Sequence, residues 1–237
     1  MEPLLILFDI DGTLVSAASA GRRSLEVAFR RVFGVDEIAT LSARIPFEGR
    51  TDPRIVADMA RAAGLHVDAV ARRAPELREV YLEALRAEMA RPDPRRRVLP
   101  GVVALLDDLR SRRGVSLGLL TGNIEAGARA KLEPFGLNDY FESGGFSSDH
   151  EDRGEIARIA RDKVSRAARV TFAPERVTVV GDTGEDIACA RAQGFRVVAV
   201  ASGGTSRERL AEGSPDAHFA DLTDLAAVRA ALRVPAV

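Results

Sequence analysis

The chain has 237 residues, 46% of them hydrophobic and 29% charged, with a formal net charge of −1. That length supports one well-buried domain or a core carrying a smaller insert, and the composition is that of an ordered soluble protein. Near-neutrality removes any global pull toward nucleic acid or an anionic membrane, so neither is expected as a partner. The single cysteine, Cys189, excludes an intramolecular disulfide and fits a reducing cytoplasm. Only Lys131 and Lys163 are lysines among the 34 basic residues; the many arginines beside alanines read as a compositional bias over helix faces.

The first element is the apolar run Leu4-Leu5-Ile6-Leu7-Phe8, predicted as a buried strand over 4–9, which stops at Asp9-Ile10-Asp11-Gly12-Thr13. The run is short, has no basic flank and is broken by two acids, so it is expected to be neither a signal peptide nor a membrane span. Side chains at i and i+2 of a strand share a face, an alternation that ends once the chain turns at Gly12. Two carboxylates at the tip of an interior strand carry desolvation and repulsion costs that folding alone does not require. In open α/β sheets that tip is where ligands bind. Asp9 and Asp11 therefore point to a site that holds a cation and uses carboxylate chemistry.

From Val15 to about Arg97 no convincing strand is present. Helical patterns run over 19–33, 53–63 and 67–90, and Arg91-Pro92-Asp93-Pro94 closes the segment. A helical domain over 16–97 is expected, inserted into a core built from 1–15 and 98–237, with linkers near 15–18 and 91–98. Within it, Arg50 in Gly49-Arg50-Thr51-Asp52 has two readings: a contact to an anionic leaving group, or a salt bridge at a helix start where Asp52 and Pro53 make a good N-cap and N1 pair.

After Pro100-Gly101, apolar segments resume at 115–121, 177–181 and 196–202, with a short edge strand at 218–220. Helices are predicted at 101–113, 124–134, 154–168, 184–193, 206–212 and 222–233. The alternation predicts an α/β fold: a doubly wound, mainly parallel, Rossmann-like sheet covered on both faces.

The later strands also end in polar groups. Thr121-Gly122-Asn123 precedes a helix, reading either as a phosphate cradle with free backbone N–H groups or as an ordinary N-cap turn. Asp182 and Asp186 in Gly181-Asp182-Thr183-Gly184-Glu185-Asp186 can both face the sheet mouth, although Asp186 alone is equally an N-terminal helix acid. Arg153 sits at a helix entrance where its charge is unfavourable, so it wants an anionic partner, either in the site or among Asp149, Glu151 and Asp152. His150 lacks a second soft ligand at metal spacing. Gathered at one sheet edge, Asp9, Asp11, Asp182 and Asp186 repel one another unless a hard cation neutralises them, and all-oxygen ligation suits Mg²⁺.

Asp9-x-Asp11-Gly12-Thr13-Leu14, Thr121-Gly-Asn, a basic residue and Gly-Asp182-x-x-x-Asp186, in that order along the whole chain, resemble the haloacid dehalogenase superfamily of phosphohydrolases. The helical insert with Gly49-Arg50-Thr51-Asp52 resembles the cap of its phosphoglycolate-phosphatase-like members. The resemblance implies Asp9 as the nucleophile that forms an aspartyl-phosphate and Asp11 as the general acid and base. It implies Mg²⁺ held by the Asp9 carboxylate, the Asp11 carbonyl and Asp182, with Asp186 in support. Gly12, Thr121, Gly122 and Asn123 would surround the phosphoryl group, and Arg153 would balance its charge. The family's basic residue is more often Lys followed by Pro, so Lys163 competes with Arg153-Gly154 for that role. Asp11 argues for phosphoester rather than carbon–halogen chemistry. The implied activity is hydrolysis of a small phosphorylated metabolite, phosphoglycolate first, with nucleoside monophosphates or sugar phosphates behind it, by a monomer or homodimer. A phosphomutase of the β-phosphoglucomutase type and a silent binding module on the same fold are the alternatives.

Overall fold

The computed structural model describes residues 2–235; Met1, Ala236 and Val237, the outermost residues of the expected core segments, lie outside the described residues. The first half of the chain contains β1 (Leu4–Phe8), β2 (Val15–Ser16), α1 (Ala20–Phe33), α2 (Ile38–Ser42), α3 (Asp52–Ala62), α4 (Val67–Ala90), β3 (Arg97–Val98) and α5 (Val102–Arg110). The second half contains β4 (Val115–Leu120), α6 (Glu125–Leu132), β5 (Gly144–Gly145), α7 (Arg153–Ala168), β6 (Val177–Gly181), α8 (Gly184–Ala192), β7 (Arg196–Val200), α9 (Arg207–Glu212), β8 (Ala217–Phe219) and α10 (Leu225–Ala231).

Six strands pair in parallel in the order β5-β4-β1-β6-β7-β8. The unbroken apolar character of β1 follows from burial on both faces. Leu4, Ile6 and Phe8 enter a cluster with Leu105, Leu106 and Leu109 of α5, Ala128 and Leu132 of α6 and Val228 of α10. Leu5 and Leu7 point the other way, into a cluster with Ile156, Ala160 and Val164 of α7 and Ile187 of α8. This is the doubly wound α/β architecture expected from the sequence. The chain winds outward from β1 through β4 to β5 on one side and from β6 to β8 on the other. The end of β1 therefore lies at the topological switch point, where a crevice opens.

Helices α1 to α4 bury a third cluster of their own, with Phe29, Ile38, Met59, Leu77 and Leu85 at its centre. The segments read as linkers contain paired strands: Val15 faces Val98 and Ser16 faces Arg97 in an antiparallel β2–β3 ladder. Immediately after it, Ala18 and Ser19 both adopt left-handed backbone, with φ of 48° and 61°, at a cost of about 1 kcal/mol each. Helix α2 escapes the periodicity because five residues span little more than one turn. Helix α4 runs unbroken for 24 residues with Pro75 inside it.

Candidate active site

Asp9 follows the last residue of β1, and its N–H donates to the Val180 carbonyl of β6 at 2.9 Å, so the ladder fixes where its carboxylate starts. Asp182 follows β6 in the same way. Carboxylate oxygens of Asp9, Asp182 and Asp186 all lie within 4.8 Å of one another, and all three residues are buried. Burial first, and then the neighbouring charge of Asp186, push Asp9 up to about 7 against the opposing pull of Arg153. Burial and the charges of Asp9 and Asp186 push Asp182 well above the carboxylate range, while Thr13 Oγ1 donates to it at 3.1 Å.

Asp186 is spoken for. Its Oδ2 accepts from Thr183 N at 3.0 Å and Thr183 Oγ1 at 2.6 Å, completing a reciprocal cap at the start of α8. Its Oδ1 accepts from Arg153. The capping reading of Asp186 is realised, and the same carboxylate also holds the Arg153 guanidinium. Cys189, one turn further along α8, lies beneath it; its Sγ donates to the Asp186 carbonyl at 3.3 Å, and burial pushes the thiol up to about 12.

Arg153 begins α7 and turns inward. Its guanidinium lies 3.6 Å from Asp9, is paired with Asp186, and donates to the Gly49 carbonyl at 3.1 Å. Burial pulls its pKa down, but Asp186 and Asp9 outweigh burial and hold it above its ordinary value. Lys163 lies elsewhere, with both oxygens of Asp149 at 2.7 Å. Geometry thus brings Arg153, and not Lys163, to the carboxylates.

Asp11 departs from the face of Asp9. Gly12, at φ 86°, turns the chain, and the Asp11 carboxylate accepts from Asn123 Nδ2 at 2.9 Å and Lys131 Nζ at 2.6 Å instead of joining the triad. Lys131 is a site residue that sequence reasoning missed. It is only 5% exposed, and its ammonium also donates to Asn123 Oδ1 at 2.7 Å. Its signal was a lysine on the buried stripe of α6, one residue before Leu132 and three after Ala128; a buried charge at such a position demands a partner.

The expected phosphate cradle of free helix N–H groups needs correction. Asn123 N donates to Thr121 Oγ1, Ile124 N to Asp52 Oδ2 at 2.8 Å, and Glu125 N to Ser148 Oγ. Gly12 N is used by the Val15 carbonyl. Among the described residues, the Asp11 and Gly122 N–H groups have no acceptor, and both residues line the same cavity as Asp9. Asn123 spends its amide on Thr121, Asp11 and Lys131, so it orders the site's side chains.

The helical insert closes directly onto these loops. Asp52 N donates to the Gly122 carbonyl at 2.7 Å and Thr51 Oγ1 to the Glu151 carbonyl at 3.1 Å. Burial raises Asp52 to about 6 despite the nearby charge of Lys131. Arg50 lines the resulting cavity, of about 390 Å³, but its guanidinium is paired with Asp58 on α3. Asp9, Asp11, Thr121, Lys131, Arg153 and Asp182 form the floor of that cavity.

The donor set fits a hard divalent cation. Three buried carboxylates share one buried guanidinium, and burial first, with their mutual repulsion added, raises Asp9 and Asp182. Gly12 and Gly203 leave the space beside Asp182 clear, since a Cβ at either would collide with its carboxylate. Oxygen donors alone favour Mg²⁺ over softer metals.

Residues 4–194 match the family model described as haloacid dehalogenase-like hydrolase. The chain is 32% identical over 233 residues to a phosphoglycolate phosphatase of Rhodospirillum rubrum, covering 94% of this chain and 89% of that one. It is 31% identical over 207 residues to a protein of Mycobacterium tuberculosis named tyrosine-protein kinase PtkA; the match takes in 85% of this chain and spans 63% of the length of that relative. The fold matches the crystal structure of a predicted phosphoglycolate phosphatase from Haemophilus somnus with a TM-score of 0.69 at 19% identity, over 96% of this chain and 97% of that one.

Proposed function

Because the chain belongs to the haloacid dehalogenase-like hydrolase family, we propose that it hydrolyses a small phosphate monoester through a covalent intermediate on Asp9. The observation that carries this reading is a buried carboxylate, Asp9, held 3.6 Å from a buried guanidinium at the floor of a cavity. That arrangement supports a nucleophile and a charge-balancing cation acting on the same phosphoryl group.

In this reading Asp9 attacks phosphorus while the bond to the leaving oxygen breaks, and Asp11 gives that oxygen its proton. Water then attacks phosphorus, Asp11 takes a proton back, and inorganic phosphate departs with Asp9 restored. The Asp11 and Gly122 N–H groups and the Thr121 hydroxyl hold the phosphoryl oxygens, with Arg153 balancing their charge. Asp9, Asp182 and the Asp11 carbonyl would hold Mg²⁺, which neutralises phosphoryl oxygens when bound. Asp186 keeps Arg153 in place, and Lys131 with Asn123 keeps Asp11 aimed from the opposite side. Residues 16–97 act as a cap that excludes bulk water, with Thr51 and Asp52 as its contact to the core.

Phosphoglycolate leads the substrate class, supported by the resemblance to phosphoglycolate phosphatases over most of the chain. The kinase activity in the mycobacterial relative's name is not carried over. Phosphate release from a panel of small phosphomonoesters, with Mg²⁺ or with EDTA, tests the reading. Wild type releases phosphate only with Mg²⁺, and Asp9→Asn is slower by about 10⁴ or more. Unchanged release in the variant overturns the nucleophile assignment.

A further inference from the structure

The cavity wall carries five cations, and most are already committed. Arg153 is paired with Asp186, Lys131 with Asp11, and Arg50 with Asp58. Arg97 is exposed on β3. Arg22, in the first turn of α1, is different: it is partly buried, lines the cavity, and has no carboxylate partner among the described residues. Glu26, one turn further along α1, accepts from Ser42 Oγ instead.

Arg22 is nonetheless held firmly. It donates to the Ser42 carbonyl at the end of α2 and to the Ile45 carbonyl at 3.1 Å, and its guanidinium carbon sits 3.9 Å above the centre of the Phe47 ring, which also lines the cavity. A carbonyl partner orients a guanidinium without cancelling its charge, and the ring face fixes its plane. The remaining N–H groups of the fork have no acceptor among the described residues. Glu48, next to Phe47 in sequence, is exposed, so solvent screens it. An immobilised planar cation without a carboxylate partner, in the wall of the same cavity as Asp9, suits one ligand chemistry: a second anion on the same small molecule.

We propose that Arg22 determines specificity by binding an anionic group on the alcohol part of the substrate, so that the substrate class is phosphate monoesters carrying a carboxylate or a second phosphate. This deepens the hydrolase reading and rests on it. The competing role is structural: Arg22 does no more than fasten the end of α2.

The test compares wild type, Arg22→Gln and Arg22→Lys on three substrates: 2-phosphoglycolate, propane-1,3-diol bisphosphate and ethyl phosphate. For Arg22→Gln, kcat/KM falls about 10- to 100-fold on the substrates bearing a second anion, mainly through KM. It changes less than about threefold on ethyl phosphate, whose leaving group is neutral, and Arg22→Lys is intermediate. Loss on phosphoglycolate alone, or on the bisphosphate alone, identifies which anion is read. Equal losses on all three substrates, or no loss on any, overturn the proposal. The same variants in an Asp9→Asn background are titrated calorimetrically with phosphoglycolate and ethyl phosphate. If wild type hydrolyses none of the three with Mg²⁺, the hydrolase reading fails, and the titration still decides: binding of phosphoglycolate that does not depend on Arg22 overturns the proposal.

Discussion

The ammonium of Lys131 lies 2.6 Å from the carboxylate of Asp11 across the gap between α6 and the β1 loop, and it is the only described lysine in the cavity wall. Asp11 is the more exposed partner, at 40% for its side chain against 7% for Lys131. The buried cation therefore sets the position of the open carboxylate. Lys131→Met removes one of its two anchors and leaves Asn123. We expect kcat to fall about 10- to 100-fold, with KM nearly unchanged, because the mechanism proposed above makes the Asp11 carboxyl the proton donor and leaves the phosphoryl contacts to other groups. Arg153 and Asp9 are untouched, so Mg²⁺-induced thermal stabilisation persists; its loss in Lys131→Met contradicts this division of labour.

The buried acids make stability fall with rising pH. Asp9 moves from an ordinary 3.8 to about 7 and Asp52 from 3.8 to about 6. Between those values the folded chain retains protons that the unfolded chain has released. The contribution is full below the unfolded value and gone above the folded one. Acids lowered by partners, such as Asp108 beside Arg112 and Asp221 beside Thr223, act oppositely but finish titrating below about pH 5. In EDTA, stability therefore falls from pH 5 to 7 by about 1.4 kcal/mol per pH unit for each retained proton, and Tm falls with it. Asp9→Asn flattens this slope and is more stable than wild type at pH 8 without metal, although it is inactive. A metal-free Tm that rises across the window refutes the sign.

Divalent metal should reverse that trend. Mg²⁺ at about 100 times its Kd adds about 2.7 kcal/mol to stability. Asp182→Asn abolishes the shift, whereas Asp186→Asn only weakens it, since both Asp186 oxygens already have protein partners. Thermal unfolding with and without Mg²⁺ measures both. A full shift in Asp182→Asn contradicts the ligand assignment.

Gly122 is where the insert meets the core. A Cβ there would collide with the carbonyl of Arg50, so Gly122→Ala forces the Gly49–Asp52 segment away and breaks the bond from Asp52 N. We expect a loss of about 1–3 kcal/mol in stability and a fall of about tenfold or more in kcat/KM, as the closed mouth opens to water. Wild-type kinetics in Gly122→Ala would show that this contact is dispensable.

The strands that position the site were legible because β1 is buried and apolar throughout, β4 and β6 are largely apolar, and each is followed at once by a polar residue. Asp9 and Asp182 followed from that. Asp11 was legible as a residue but not as a direction: the left-handed turn at Gly12 sends it to Lys131, and no local pattern encodes a partner 120 residues away. The β2–β3 ladder was invisible because two residues per strand carry no alternation. The occupied N–H groups at the start of α6 were invisible for another reason: their acceptors, Asp52 and Ser148, come from distant segments. Arg50 was open between a contact to an anionic leaving group and a salt bridge at the helix start, and its pairing with Asp58 depends on helix phase within α3. Arg22 was hidden among many arginines, since what distinguishes it is a missing carboxylate.

The lone thiol of Cys189 has a practical consequence. Burial under Asp186 and a pKa near 12 leave it without thiolate at working pH, so maleimide reagents pass it by. Val67 on the helical insert and Val103 on the core are 73% and 44% exposed. Cysteines introduced at these two positions would take a donor and an acceptor dye with no need to remove the native sulfur. The distance between insert and core could then be followed in an otherwise unaltered chain while substrate, phosphate or Mg²⁺ is added.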